Sequence, residues 1–275
     1  MKITIIGLGL IGGSIAKSLK RSGDFTIVAI DNNEQVLLDA ISSGTIDRKA
    51  DVYDLKDSDV VYLCVYPEAA VEFTEKNKSA FGKNTVVTDV CGIKSLIYPK
   101  LCQIAAGEGF TYIGSHPMAG KEQSGFNASD SALFFGASYI IVSDGENQRA
   151  VNLIKELALK MGFGKIVYAT SEEHDKAIAY TSQLPHALAC AYVMSPMCEK
   201  HEGFSAGSYR DVSRVADINA KLWSELFIAN KDILAAEIDT LIENMEKLKA
   251  AVKNSNSENL EGLLKEAGDN KRKFG

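Results

Sequence analysis

Three glycines, Gly7, Gly9 and Gly12, stand at a spacing that can bind a phosphate. They follow the apolar run Lys2–Ile6, which is typical of a buried strand, and they open a segment with helical spacing of apolar residues, 10–21. In this context the first glycine permits a tight turn, the second lets the backbone approach a pyrophosphate, and the third lets helix and strand pack closely. The pattern predicts a nucleotide-binding loop made of Gly7, Leu8, Gly9, Leu10, Ile11 and Gly12.

An acidic residue, Asp31, directly follows the next apolar run, residues 25–30. A carboxylate at the end of the second strand accepts hydrogen bonds from the adenine ribose hydroxyls and repels a 2′-phosphate. The two residues after it are asparagines, so no arginine reverses this preference. The sequence therefore predicts NAD as the cofactor. We assign Val65 and Pro67, at the end of another strand-like run, to the same cofactor site.

Histidine is the side chain best suited to accept a proton near neutral pH, and the sequence has His116, His174, His186 and His201. None forms a close metal-binding pair, so no metal site is predicted. His116 lies in the segment GSHPMAG, where we expect a strand to end in a loop restrained by Pro117. Ligands of open parallel sheets bind beyond the carboxyl ends of the strands, which makes His116 a candidate base. A turn histidine bonded to the backbone is the alternative.

The composition indicates a folded protein of about two domains. The chain has 275 residues, of which 46% are hydrophobic and 24% are charged, and its net charge is −6. A net negative charge disfavours general binding to nucleic acid or to anionic membranes. No apolar run reaches the length of a membrane span, and the five cysteines lack CxxC spacing, which favours reduced thiols. We therefore expect a cytoplasmic protein without a nucleic-acid or membrane partner.

Two hydrophobic patterns divide the chain near residue 170. Short apolar runs first alternate with helical segments, which indicates a Rossmann-type α/β domain with a mainly parallel sheet over residues 1–170. The expected strands are 2–6, 25–30, 60–66, 85–90, 112–114, 138–142 and 166–169, and the expected helices include 10–21, 34–42, 93–106 and 148–161. Helical periodicity then takes over, and we expect an all-α domain over residues 171–275.

Apolar residues recur every seven positions in this second part. One series is Phe227, Leu234, Leu241 and Leu248, and a second is Ile238, Met245 and Val252. A stripe this apolar is atypical of a solvated helix, so it should pack on another helix in the same chain or in a second subunit. We expect the helical domain to contribute to the substrate site and to build a homodimer.

Four motifs follow one another along the chain. They are the glycine loop, GSHPMAG (114–120) with EQSG (122–125), HD (174–175) with LPH (184–186), and RDVSR (210–214). In this combination the chain resembles the prephenate dehydrogenase family, the oxidoreductases of tyrosine biosynthesis. The resemblance spans about residues 1–230. It is closest to the compact, monofunctional form, because no chorismate mutase segment precedes the motifs and little chain follows them.

The resemblance implies a reaction and a role for several residues. The family transfers a hydride from ring C4 of prephenate to NAD⁺ while the ring carboxylate leaves as CO₂, which yields 4-hydroxyphenylpyruvate. His116 matches the catalytic histidine, which accepts the proton of the 4-hydroxyl. Arg214 matches the arginine that holds a carboxylate, a task that suits a planar and permanently charged guanidinium. His186 matches a histidine near the substrate side chain.

Other candidates for substrate binding are less specific. Arg210 lies one helical turn before Arg214, and a pair with a local acid such as Asp211 is its alternative role. Lys94 could add positive potential near the cleft, or it could be a solvated surface lysine. The HD motif, 174–175, is expected to shape the domain junction rather than to take part in the chemistry.

Two positions depart from the family pattern. Gly92 stands where the family usually has a serine that bonds the catalytic histidine or the substrate hydroxyl. Its hydroxyl would have to come from Ser115, Ser124 or water, or be dispensed with, and we keep Ser115 as a candidate contact. Gln183 stands where many members have a second histidine. These changes leave the reaction class intact.

Other functions are also compatible with parts of the sequence. Arogenate dehydrogenase is the nearest alternative, since arogenate carries an amino group in place of the side-chain keto oxygen. A related dehydrogenase for a 3-hydroxy acid or a pyrroline would have a catalytic lysine or a different loop. A non-enzymatic NAD-sensing protein would keep the glycine loop and Asp31 but would have no need for His116 and Arg214.

Overall fold

The computed structural model describes residues 1–121, 123–143, 145 and 147–274. Its strands are β1 (Lys2–Ile6), β2 (Thr26–Ile30), β3 (Arg48–Lys49), β4 (Val60–Leu63), β5 (Val86–Asp89), β6 (Thr111–Pro117), β7 (Ser138–Val142) and β8 (Lys165–Ala169). Within the described residues they form one sheet in the order β3-β2-β1-β4-β5-β6-β7-β8. Neighbouring strands are parallel except β6 and β7. The predicted Rossmann-type, mainly parallel sheet is confirmed.

Helices pack on both faces of this sheet. They are α1 (Leu10–Ser22), α2 (Glu34–Ser42), α3 (Pro67–Asn77), α4 (Tyr98–Glu108) and α5 (Gln148–Met161). Successive residues of β1 face opposite cores, because Ile3 and Ile5 belong to one buried cluster and Ile6 to the other. Residues of α1, α2 and α5 join the first cluster, and residues of α3 and α4 join the second. Burial on both faces explains why the strands are continuous apolar runs in the sequence.

Two expectations about the segments near His116 were wrong. Strand β6 does not end before His116 but continues to Pro117, because His116 pairs with Ile140 of the antiparallel strand β7. The helix expected over 93–106 begins only at Tyr98. Residues 93–97 form turns instead, in which backbone and side-chain hydrogen bonds hold Lys94 in a buried position. Helix α3 and the short strand β3 were not predicted.

After β8 the described residues contain helices and their connections. These helices are α6 (Ser171–Ile178), α7 (Leu184–Val193), α8 (Gly207–Ser213), α9 (Ala220–Ala229), α10 (Lys231–Lys253) and α11 (Ser257–Phe274). A capping box fixes the start of α6, where Thr170 and Glu173 bond each other's backbone N–H groups. A π-helical turn, Ala179–Gln183, joins α6 to α7. No helix in the described part of the chain is long and apolar enough to cross a membrane.

The apolar stripe of the helical part is covered on one side only. Leu234 is buried and Leu248 is half-buried, and α10 packs against α11. Met245 and Val252 are 54% and 63% exposed. The series that contains Leu234 and Leu248 therefore packs within the chain, whereas Met245 and Val252 of the second series leave an apolar surface.

A buried ion pair connects the turn after β5 to β6. The ammonium of Lys94 bonds the carboxylate of Asp89, and both side chains are fully buried. The same ammonium donates to the backbone carbonyls of Cys91, at 2.9 Å, and Ser115, at 2.6 Å. Because Ser115 directly precedes His116, the pair holds the backbone from which the candidate base projects.

Replacing one partner of this pair should destabilise the whole fold. Asp89→Asn leaves the Lys94 ammonium buried without its counter-charge, which costs about 3–5 kcal/mol of the free energy of unfolding. The melting temperature should fall on the order of 10 °C, measured by circular dichroism. Glu34→Gln, which breaks the exposed pair with Lys49, is the matched control and should change it little. Equal melting temperatures for the two variants would contradict this account.

Candidate active site

The glycine loop has the shape that a pyrophosphate requires. Gly7 has a φ of +91°, and a Cβ there would lie 2.6 Å from the carbonyl oxygen of Cys64. A Cβ on Gly12 would lie 2.0 Å from the carbonyl oxygen of Gly7. A Cβ on Gly9 would meet no atom within 4 Å, so the backbone there borders open space. Helix α1 begins at the next residue, and its free N–H groups suit an anion in that space.

Asp31 is held at this loop by two backbone N–H groups. Its Oδ2 accepts from Leu8 at 2.7 Å, and its Oδ1 accepts from Asn33 at 2.8 Å. The remaining lone pairs of the carboxylate are available to ribose hydroxyls, so the residues fit the adenosine half of a dinucleotide. Val65 lies against the glycine loop, and Pro67 is buried in the first turn of α3. The loop, Asp31 and Val65 are thus brought together, with Pro67 just beyond them.

His116 is half-buried on β6 and touches a second histidine. Its Nδ1 lies 3.0 Å from Nε2 of His174, on α6. The other ring nitrogen of His174, Nδ1, lies 2.7 Å from Oδ1 of Asp175. The Asp175 carboxylate also accepts from the backbone N–H groups of Lys94, at 2.8 Å, and Ser95, at 2.7 Å. The HD motif therefore does join the two parts of the chain, and in addition it contacts the candidate base, which the sequence did not predict.

The surroundings of these groups set their protonation. Burial lowers the pKa of His116 well below its usual value, and His174 and the Lys94 ammonium lower it further. Burial also lowers the pKa of His174, although its bond to Asp175 opposes this. Burial would raise the pKa of Asp175, but its bonds to His174, Lys94 and Ser95 outweigh that effect and lower it. Near neutral pH both imidazoles are therefore neutral and Asp175 is ionised.

A chain of contacts leads from His116 to the helical part. A Cβ added at Gly92 would lie 3.8 Å from Cε1 of His116 and 3.7 Å from a methyl group of Leu226, on α9. Trp223 lies one turn earlier on the same helix and stacks on the ring of His186, with centroids 3.7 Å apart. Sequence reasoning missed Trp223, although it is the chain's one tryptophan.

Arg214 lies beside His186. It begins the short 3₁₀ helix Arg214–Ala216, which packs against α7, the helix that carries His186. Burial lowers the pKa of His186, and the charge of Arg214 lowers it further. The Nδ1 of His186 lies 2.8 Å from the carbonyl oxygen of Ser182, so Nδ1 is the donor and the neutral ring has its lone pair on Nε2. Arg210 is exposed on α8, one turn before Arg214.

The structure corrects the expectation that Lys94 and Ser115 contact the substrate. The Lys94 ammonium is fully buried and bonds three protein oxygens, so it is neither a surface lysine nor a substrate ligand. Ser115 is also fully buried, and its hydroxyl bonds the backbone oxygen of Asp89, at 2.5 Å, and the hydroxyl of Tyr139, at 2.7 Å. It faces away from His116 because adjacent strand residues point to opposite sides. Both residues support the strand beneath His116.

Gln183, the second departure from the family pattern, connects helices. Its amide nitrogen donates to the carbonyl oxygen of Leu226 at 2.8 Å, and its amide oxygen accepts from Asn230 at 2.8 Å. Asn230 also donates to the backbone oxygen of Asp175 at 3.0 Å. This buried amide network positions α9 against α6. Among the described residues no cluster of three or more His, Cys, Asp or Glu side chains could hold a metal ion.

Comparisons with known proteins agree with this architecture. The family model for the prephenate dehydrogenase nucleotide-binding domain matches residues 15–168, and the model for the prephenate dehydrogenase dimerization domain matches residues 170–266. A prephenate dehydrogenase of Bacillus subtilis (strain 168) is 30% identical over 284 residues, which covers 98% of this chain and 75% of the relative. A cyclohexadienyl dehydrogenase of Zymomonas mobilis is 30% identical over 277 residues and covers 96% and 93% of the two chains.

A solved structure extends the comparison to the whole fold. Prephenate dehydrogenase from A. aeolicus, in complex with hydroxyphenyl propionate and NAD⁺, is 28% identical and superimposes with a TM-score of 0.88 over 100% of this chain and 98% of that chain. A nucleotide-binding α/β domain followed by a helical domain, with an imidazole at their junction, defines a nucleotide-dependent dehydrogenase. The chain belongs to the prephenate dehydrogenase family.

An added methyl group should have different effects at Gly9 and at Gly12. Gly9→Ala should leave the melting temperature unchanged, because its backbone φ of −75° suits alanine and the space is open, but it should weaken NAD⁺ binding on the order of 10-fold. Gly12→Ala should weaken binding and also destabilise the fold by about 1–3 kcal/mol, because its Cβ meets the Gly7 carbonyl. Calorimetric titration with NAD⁺ and thermal melts measure both effects. Unchanged NAD⁺ affinity in Gly9→Ala would refute the assignment of this loop.

Proposed function

We propose that the chain catalyses the NAD⁺-dependent oxidative decarboxylation of prephenate to 4-hydroxyphenylpyruvate, a step of tyrosine biosynthesis. The observation that supports it most directly is the neutral imidazole of His116 at the edge of the nucleotide domain, beside a helix that leads to His186 and Arg214. The A. aeolicus relative was solved with NAD⁺ and with a phenol that carries a side-chain carboxylate, which resembles the product of this reaction.

The residues divide the reaction between the two parts of the chain. Bound NAD⁺ supplies the acceptor for the hydride that leaves ring C4. His116 accepts the proton of the 4-hydroxyl at Nε2, so that the C4 oxygen becomes a carbonyl while the ring carboxylate leaves as CO₂. Arg214 holds a substrate carboxylate through its guanidinium, and Arg210, one turn away, adds positive potential. His186, stacked on Trp223, lies toward the substrate side chain.

Arogenate is the second candidate substrate. The name of the Zymomonas relative refers to the cyclohexadiene ring, which prephenate and arogenate share. The two differ only in the side chain, which carries a keto oxygen in prephenate and an amino group in arogenate. His186 is the residue that we assign to this side chain. Its Nε2 lone pair can accept from an ammonium group or from a water.

The remaining proposals concern organisation. The nucleotide domain comprises residues 1–170 and the helical domain residues 171–275, which is supported by the end of β8 at Ala169 and the start of α6 at Ser171. Two copies pair through the helical domain as a homodimer, supported by the match to a dimerization domain and by the exposed apolar residues of α10. A cytoplasmic location fits the NAD requirement and five free thiols.

Substrate assays test the function directly. The full chain with NAD⁺ should produce one NADH and one CO₂ per prephenate consumed, and turnover of arogenate in place of prephenate would move the assignment to that substrate. His116→Asn should lower kcat by about 10²–10⁴-fold with little change in KM. Arg214→Ala, in contrast, should mainly raise KM, by about 10- to 150-fold. No NADH with either substrate, or normal turnover by His116→Asn, would overturn the proposal.

The pH dependence of kcat reports the protonation of the base. His116 must be neutral to accept a proton, and its pKa is lowered, so lowering the pH through 6.5 should leave most of the activity intact. The rate should fall only in more acidic solution, where the imidazole becomes protonated. Tryptophan fluorescence at each pH controls for unfolding. An acidic limb centred at or above pH 6.5 in folded enzyme would contradict a base with a lowered pKa.

A further inference from the structure

The contact between His116 and His174 fixes which atoms carry protons. Asp175 is ionised and can only accept, so the proton of the 2.7 Å bond belongs to Nδ1 of His174. A neutral imidazole with a proton on Nδ1 has a lone pair on Nε2. That lone pair faces Nδ1 of His116 at 3.0 Å, so His116 must be the donor in this bond. The Nε2 of His116 is then left without a proton.

We propose that His174 and Asp175 are positioning residues that select the Nδ1–H tautomer of His116 and thereby keep its Nε2 ready to accept a proton. The inference rests on the proposed function for its consequence, because the base needs a free Nε2 at the substrate. In the opposite tautomer the proton on Nε2 would block transfer from the 4-hydroxyl. The arrangement uses two side chains from α6 to orient one side chain on β6.

His116, His174 and Asp175 form a hydrogen-bonded relay, and the groups around it fix the direction of its hydrogen bonds. Two backbone N–H groups, of Lys94 and Ser95, point at the Asp175 carboxylate and keep it an acceptor. The His174 ring is only 1% exposed, and both of its nitrogens have protein partners, so water does not compete for them. Within the described part of the chain, the charged groups nearest His116 are the Lys94 ammonium, with its partner Asp89 on the β5 side, and Asp175 on the α6 side.

The relay also accounts for the proton during turnover. The hydroxyl proton moves to Nε2 of His116, while the Nδ1–H bond to His174 stays in place. The imidazolium then donates to the lone pair on Nε2 of His174, and the His174 ring donates to the Asp175 carboxylate. The new positive charge is therefore connected to an anion through two hydrogen bonds. No proton needs to travel along the relay.

The experiment measures the tautomer and the kinetics separately. Imidazole ¹⁵N chemical shifts of the NAD⁺-bound full chain, assigned with His116→Asn, distinguish Nδ1–H from Nε2–H. Wild-type protein and His174→Gln should show the Nδ1–H form of His116, because a glutamine oxygen can accept in place of Nε2. His174→Phe should populate the Nε2–H form and lower kcat by about 10²-fold with little change in KM. In Asp175→Asn the amide N–H can donate to Nδ1 of His174, so that His174 carries its proton on Nε2 and donates to His116. That reversal should lower kcat at least as much as His174→Phe does.

A matched control separates orientation from loosening of helix α6. Glu173→Ala removes half of the capping box at the start of α6, on the residue next to His174, and should lower the melting temperature slightly without altering the tautomer. Melting temperature and NAD⁺ affinity confirm folding of each variant. An Nε2–H form of His116 in wild-type protein would overturn the inference. A decrease of kcat in Glu173→Ala as large as that in His174→Phe would also overturn it. If wild-type protein shows the Nδ1–H form but turns over neither substrate, the proposed function fails while the tautomer assignment stands.

Discussion

The buried ion pair of Lys94 and Asp89 is the interaction on which the geometry around His116 depends. The Lys94 side chain ties the turn after β5 to the backbone of Ser115, and its own backbone N–H ties the same turn to Asp175. One residue therefore holds both the strand that carries the base and the helix that orients it. Removing two charges from water is costly, and two further hydrogen bonds from the ammonium to backbone carbonyls help to offset that cost. Because its three partners are protein oxygens, the ammonium is buried although it lies close to the site.

Local patterns predicted the parts of the fold that local forces determine. The glycine loop, strands β1 and β7 and helices α2 and α5 follow from spacing, capping and apolar runs, and the structure has them at the expected residues. The extension of β6 through His116 could not be predicted, because it depends on antiparallel pairing of His116 with Ile140, which lies 24 positions later in the chain. Lysine side chains usually lie at the surface, so the sequence did not predict that Lys94 is buried. Its burial depends on acceptors supplied by Asp89 and Ser115. Nonlocal contacts decided both cases.

The same limit applies to the candidate site. His116, Asp31 and Arg214 are recognisable because each stands in a motif with a chemical reason for its residue type. The contact between His116 and His174 joins residues 58 positions apart and has no periodic signature in the sequence. The HD motif was the available signal, since an acid beside a histidine can fix that histidine's tautomer. Gln183 likewise gained its role from Asn230 and Leu226, which come from later helices.

Gly92 shows how the orientation of the base can be separated from the substrate contact. A Cβ at position 92 would make only ordinary contacts with His116 and Leu226. The absence of a side chain there is therefore not explained by a lack of space. The Nδ1 side of the ring is already held by His174, and a hydroxyl at position 92 is therefore not needed to set the tautomer. Two opposing effects then act on the basicity of Nε2. Burial first, and then the neighbouring His174 and Lys94, keep His116 neutral before reaction. The Asp175 carboxylate, bonded to His174, favours the imidazolium that forms. A base with a strongly lowered pKa would be a poor proton acceptor without that second effect, so the relay offsets the penalty that burial and Lys94 impose.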